Sequence, residues 1–491
     1  MSSVDIAASV SARPRRQKAP SSIEDSPIQR IVRYVCLGLL GASVLIVLLT
    51  HGGVYPAAIA ISLILMCASL AIGYVTLGVR TSVGFVFHFV LGVWAVVFAW
   101  SLIQSMPLPE TIQGHPAWEV LRELGLGEER YLSPAPANVR SALLPISLPF
   151  AGLLTALVLL RTDEEVGQAL RTFSMVGGLL ALFAIGQFVA FPNALMFGEK
   201  IHYLGSLTAP FVNRNTAATF YGVTLLSLLC QFRREQVPFI FGSGKTLFRA
   251  GVSVRWVATL TILAVAAFVA LALTTSRAGV AASAIGVVVF AAGMFVLPPP
   301  PKQKAGAFPS AGRQRPLLRL LLAVLLLASI AATFWLLAGR ASLRAEIQGL
   351  DDGRFCVLAG ILQAIRDNWL TGIGAGVFPV YFPAYRDAAC GISGQWEMAH
   401  NFYLDAQLAL GIIFVPILLS VVAVLAVVLR RGILNRRRNR PIVWAGIASC
   451  VIVALHSTVD FSIQIPGFSL WWALFLAMVL QVCTSRTKIV Q

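Results

Sequence analysis

Four short polar clusters interrupt an otherwise apolar chain: Asn213-Arg214-Asn215, Thr275-Ser276-Arg277-Ala278-Gly279, His400-Asn401-Phe402-Tyr403-Leu404-Asp405 and His456-Ser457-Thr458-Val459-Asp460. The first three open an apolar run and the fourth precedes one, so each marks a helix end. A helix N-terminus presents unsatisfied N–H groups and the positive end of the helix dipole. Asn213 and Ser276 are good N-cap types. An arginine beside each such end, Arg214 and Arg277, makes a cradle for an anion. The competing reading is that each arginine only extends its head toward the membrane surface. Two of them on alternate helices, each inside a polar cap, argue for the cradle.

The elements that must position these residues are membrane helices. Hydrophobic residues make up 57% of the 491 and charged residues 12%, and the mean hydropathy is +0.80. A soluble chain carries roughly 25% charged residues. The apolar residues fall in runs of about 18–25, the length that crosses a hydrocarbon core of roughly 30 Å. Twelve spans are predicted, at 31–50, 55–78, 83–103, 143–160, 169–191, 213–232, 256–274, 279–297, 320–338, 403–429, 441–458 and 466–484. The class is an all-α polytopic membrane protein, with a transmembrane unit over 31–484 between tails at 1–30 and 485–491. The first tail carries Arg13, Arg15, Arg16 and Lys18, lacks the cleavage pattern of a secretory signal, and reads as disordered and cytoplasmic.

Basic residues concentrate in alternate short loops such as Arg430-Arg431 and Arg436-Arg437-Arg438, and acids in the others. That bias predicts cytoplasmic N- and C-termini. It places the four polar clusters on the opposite side, the periplasmic face of a bacterial inner membrane. The net charge of +17 is therefore a topology signal and an affinity for anionic lipid. Charge scattered over loops does not fit a nucleic-acid partner.

Two outer loops are long. The first, 104–142, holds Trp118 and several acids. The second, 339–402, contains Arg354–Asn368 at amphipathic helical spacing, which predicts a helix on the outer leaflet or capping the bundle. The glycine-rich run Gly372-Ile373-Gly374-Ala375-Gly376 follows it and predicts a flexible bend. It follows a helix and lacks the lysine of a phosphate loop, which excludes a nucleotide reading. His88, inside the third span, reads as a buried, hydrogen-bonded histidine. The inside loop 298–319 reads as a disordered linker. Of seven cysteines, Cys356 and Cys390 share the second outer loop, where a disulfide is open; Cys36, Cys67, Cys230, Cys450 and Cys483 sit in or beside spans. No cysteine spacing suits a metal.

Taken in order, Asn213-Arg214-Asn215-Thr216-Ala217-Ala218, Thr275-Ser276-Arg277-Ala278-Gly279, Asp367-Asn368-Trp369-Leu370-Thr371-Gly372, His400-Asn401-Phe402-Tyr403-Leu404 and His456…Asp460-Phe461 resemble motifs of the O-antigen ligase/polymerase superfamily. The resemblance spans about 200–484. It implies a GT-C-like helical bundle with a large periplasmic loop. It further implies a metal-independent glycosyltransferase, without a cofactor, that moves a glycan from undecaprenyl pyrophosphate to an acceptor hydroxyl. The family's two arginines and histidine carry over to Arg214, Arg277 and His400. In that scheme the arginines hold the pyrophosphate, with Asn213, Asn215 and Ser276 beside them, and His400 takes the acceptor proton. Asn401 and Asp405 orient the imidazole, and Asp460 orients it or binds sugar. The acceptor is lipid A–core for a ligase and a growing polysaccharide for a polymerase. The motifs do not separate the two. The reading from a different class is a polysaccharide or lipid transporter or flippase, which tends to carry ionisable groups at the bilayer midplane.

Overall fold

The computed structural model describes residues 26–234, 254–296, 357–387 and 396–485. The described residues are helical apart from turns and one two-stranded hairpin. Helices α1 (Pro27–Leu49), α2 (Pro56–Leu77) and α3 (Gly84–Ser105) lead to a short α4 (Pro116–Glu123), then α5 (Pro136–Leu159) and α6 (Asp163–Ala190). The hairpin β1 (Ala194–Leu195) and β2 (Gly198–Glu199) precedes α7 (Arg214–Arg234), α8 (Val254–Leu273) and α9 (Arg277–Ala291). Then come α10 (Leu358–Asp367), α11 (Phe378–Tyr381), α12 (Phe402–Leu410), α13 (Phe414–Asn435), α14 (Arg440–His456) and α15 (Pro466–Thr484).

Among the described residues, nine helices are long and apolar enough to cross a membrane. Every predicted span coincides with a helix except 320–338, which lies outside the described residues, as do the linker 298–319, Arg354, Cys356 and Cys390. Helix α14 is apolar but short for a span. Helix α7 is the most polar of the long helices, yet almost every residue from Asn215 to Phe232 is buried. Its environment is protein rather than lipid. That explains how Thr216, Thr219, Thr224, Ser227 and Gln231 are tolerated there. Helix α15 is the other central element, with 89% of its apolar window buried. It packs on α5, which absorbs Pro145 and Pro149 within its length. Neighbouring helices make such internal prolines tolerable in membrane proteins.

Helix starts are specified locally. Ser26 with Gln29 and Thr162 with Glu165 form reciprocal capping boxes on α1 and α6. The three acids of the first α6 turn suit its positive dipole end. The tenth predicted span is not one helix, because a 3-10 turn at Gly411–Ile413 divides α12 from α13.

A second apolar core caps one end of the bundle. Val139, Val357, Ile361, Ala364, Ile373, Val377, Phe378, Phe382, Ala399 and Leu408 pack together there. Helix α10 turns its apolar face into this core, so of the two placements expected for that helix the structure shows the cap. The glycine bend does join two short helices, but it is pinned rather than loose. Ile373 N–H donates to Leu408 O and Gly374 N–H to Ala409 O, each at 2.9 Å. Gly372 has φ +67° and Gly411 φ +63°, and a Cβ on either would run into the other strand of this contact. His88 is hydrogen-bonded to Gly84 O at 2.7 Å, as expected, but it is exposed on the outside of α3 rather than buried. The five cysteines of the described residues are all free thiols.

Candidate functional site

The capped end of the bundle gathers the starts of α7, α9, α12 and α15 with the end of α14. Asn213 Oδ1 accepts the Asn215 N–H at 2.7 Å, and Ser276 Oγ accepts the Gly279 N–H at 3.3 Å. Both are therefore N-caps, as their types suggested. What the residue types did not reveal is that the two caps are joined. Ser276 Oγ donates to Asn215 Oδ1 at 2.8 Å, and Arg214 Nη1 donates to Thr275 Oγ1 at 3.3 Å. Two hydrogen bonds thus weld the start of α7 to the start of α9. The welded ends place Arg214 beside Thr275 and leave Arg277 exposed at the first position of α9.

Asp460 completes the weld. It is fully buried, and its Oδ1 accepts the Asn215 amide at 2.9 Å. Its Oδ2 accepts the Ser462 N–H at 2.8 Å and the Ser462 hydroxyl. Asn215 is satisfied on both sides of its amide, so its orientation is fixed, and with it the turn that carries Arg214. Thr219, one turn further along α7, lies 2.6 Å from His456 Nδ1 and 3.2 Å from Ser462 Oγ. Three segments distant in sequence are bound here through neutral amides, hydroxyls and one buried carboxylate.

His400 approaches the same network through Phe461, the residue after Asp460. The imidazole meets the Phe461 ring edge-on at 4.9 Å and the Trp396 ring at 5.2 Å. Its backbone is held at φ +52°. Asn401 caps α12 by accepting the Leu404 N–H at 3.1 Å and donates to Thr458 O at 2.8 Å. Asp405 accepts the Ala399 N–H at 2.9 Å and the Gln464 amide at 3.2 Å. These bonds hold the backbone on either side of His400. Asn401 and Asp405 therefore position the segment that bears the imidazole.

Several residues of the network escaped the sequence reading. Tyr203 is one of them; it and Thr275, already part of the second polar cluster, both have positive φ, at +56° and +53°. A β-branched residue there is a backbone outlier. The Tyr203 ring lies under the Arg214 guanidinium at 5.4 Å. Ser206 Oγ is 2.6 Å from Thr275 Oγ1, and Lys200 Nζ donates to Ser206 O. Lys200 is only 5% exposed, and burial holds its ammonium below the usual lysine range. Thr219 had a faint signal, because its spacing of four from Asn215 puts both on one helix face. Lys200, Tyr203 and Ser206 lie in an irregular loop and had none.

Residues 262–417 match the family model described as O-antigen ligase. Over that segment, about a third of its length, the chain is similar to the O-antigen ligase family. No curated protein matches it. The matched segment holds Arg277, His400, Asn401 and Asp405, whereas Arg214, Asn215 and Asp460 lie outside it. A segment of that family implies glycosyltransferase-like chemistry on lipid-linked glycan and polysaccharide substrates. The bonds from Arg214 to Thr275 and from Ser276 to Asn215 tie α7 to the matched segment.

Proposed function

We propose that this protein transfers a glycan from undecaprenyl diphosphate to an acceptor hydroxyl at the periplasmic surface of the inner membrane. The observation that carries the reading is the hydrogen-bonded weld of α7 to α9, which sets Arg214 and Arg277 at adjoining helix starts beside the His400 segment. The donor's isoprenoid chain lies in the bilayer, so its diphosphate rests at the depth of these helix ends. Arg214 and Arg277, backed by the positive dipole ends of α7 and α9, bind the diphosphate. They stabilise the negative charge that grows on its oxygen as the sugar C1–O bond breaks. The acceptor oxygen forms the new bond to C1, and its proton passes to the imidazole of His400. Undecaprenyl diphosphate leaves with the electron pair of the broken bond. The diphosphate is a good leaving group, so no strong general acid is required. Asn215 and Asp460 hold the arginine-bearing turn.

A deletion strain complemented with wild type, Arg277→Ala or His400→Ala tests the reading. Both variants reach the membrane at wild-type levels and fail to restore surface polysaccharide; restoration by either would refute the assignment. The deletion phenotype also names the acceptor. Unattached long polymer marks a ligase, and single-repeat glycolipid marks a polymerase.

A further inference from the structure

The hairpin between α6 and α7 has two unlike sides. Phe197 and Ile201 are 82% and 77% exposed, and Phe191 and Leu204 are exposed as well, an apolar surface on the rim of the bundle. Lys200, between exposed Glu199 and Ile201, turns the other way and is buried. The hairpin is fastened so that this alternation holds. Gln187 of α6 donates to Met196 O at 2.8 Å and accepts the Met196 N–H at 3.2 Å, and Lys200 N–H donates to Asn193 O at 2.8 Å. The Lys200 ammonium rests against Ser206 O and, at 6.0 Å, the Phe188 ring. Ser206 in turn contacts Thr275, which accepts from Arg214.

An ammonium carries three donors and is expensive to bury without an anionic partner. The neighbours just named are a carbonyl and an aromatic face, neither of which cancels its charge. A prenyl diphosphate has the complementary layout, with an apolar chain joined to a compact multiple anion. We infer that Lys200 is a third cation for the donor's diphosphate, linked to Arg214 through Ser206 and Thr275, with the apolar side of the hairpin receiving the first isoprene units. The inference rests on the donor proposed above. The lysine meets the phosphate farther from the sugar, and the arginines meet the phosphate that bears it.

The test is equilibrium binding of two probes, undecaprenyl diphosphate and undecaprenyl monophosphate, to the full-length protein in lipid nanodiscs. Wild type, Lys200→Met and Lys200→Arg are compared. Lys200→Met is expected to weaken the diphosphate at least tenfold and the monophosphate less than threefold, and Lys200→Arg is expected to stay within threefold of wild type for both. Thermal unfolding of the same samples separates binding from packing. Removing a buried charge should leave the midpoint of Lys200→Met unchanged or higher. Equal diphosphate affinity in wild type and Lys200→Met would overturn the lysine's role while leaving the donor assignment standing. A lowered midpoint with unchanged affinity of the folded fraction would make Lys200 structural. Wild type that binds neither probe would overturn the donor assignment, and this inference with it.

Discussion

Apart from the exposed Arg122–Glu119 pair on α4, the two ends of the helix bundle hold charge differently. At the end away from the cap, cations meet carboxylates. Arg33 pairs with Glu165, Arg436 lies 3.7 Å from Asp163, and Asn439 donates to the same carboxylate at 2.8 Å. At the capped end, Arg214 meets a threonine hydroxyl and a tyrosine ring, Lys200 meets a carbonyl, and Asp460 accepts from an amide and a serine. Backbone strain is also one-sided. The five non-glycine residues with positive φ among the described residues, His51, Met196, Tyr203, Thr275 and His400, all belong to turns at the capped end. Such conformations cost about 1–3 kcal/mol each and persist where surrounding contacts over-determine them. A cation already neutralised by a carboxylate holds the fold together. The contacts named at the capped end are to hydroxyls, a ring and a carbonyl, groups that orient a cation without cancelling its charge.

That contrast predicts a hierarchy of effects. The largest falls on transfer. Arg277→Ala should lower the rate on the order of 10²–10³-fold, the usual loss when a preorganised charge-stabilising group is removed, in an assay of membranes with lipid-linked donor. His400→Ala should lose on the order of 10²–10⁴-fold, the usual worth of a general base. Arg33→Gln, at the opposite end, should leave the same assay unchanged. A loss there comparable with that of Arg277→Ala would erase the distinction between the ends.

The next effect is on stability at the capped end. Asp460→Ala leaves the buried Asn215 amide and the Ser462 donors without their acceptor. It should cost about 1–3 kcal/mol for each group left unsatisfied, read as a lower thermal midpoint in detergent, and it should lower transfer as the arginine-bearing turn loosens. Gly372→Ala should also lower the midpoint, because its Cβ meets the Ala409 carbonyl and its φ disfavours alanine.

A smaller, pH-dependent effect should single out the cap. Burial lowers the pKa of His115, which caps α4 and lies 3.2 Å from Tyr381 Oη. A histidine depressed in the fold binds fewer protons there than in the unfolded chain. Its stabilisation is present above the ordinary histidine pKa, about 6.5, and is lost as pH falls through the folded value. Thermal midpoints measured from pH 7 down to 5 should fall for wild type more steeply than for His115→Gln. The smallest effect belongs to the paired end. Glu165→Gln should change stability by no more than about 1 kcal/mol, and added salt should shrink it further.

Apolar run lengths placed most of the long helices, because a segment of some twenty apolar residues has one stable course through a bilayer. They also placed Asn213 and Ser276 as caps and set Arg214 and Arg277 at helix starts, since capping is local chemistry. The order of the motifs pointed to the superfamily before any coordinates. Only the tertiary structure decided which helix starts adjoin. Hydrogen bonds from Ser276 to Asn215 and from Asn215 to Asp460 join residues separated by 61 and 245 positions, and no local rule encodes a pairing at that distance. The same limit hid the glycine bend's fixed docking on α12 and the inward turn of Lys200. Each depends on which neighbour a side chain meets, and packing of the whole bundle settles that.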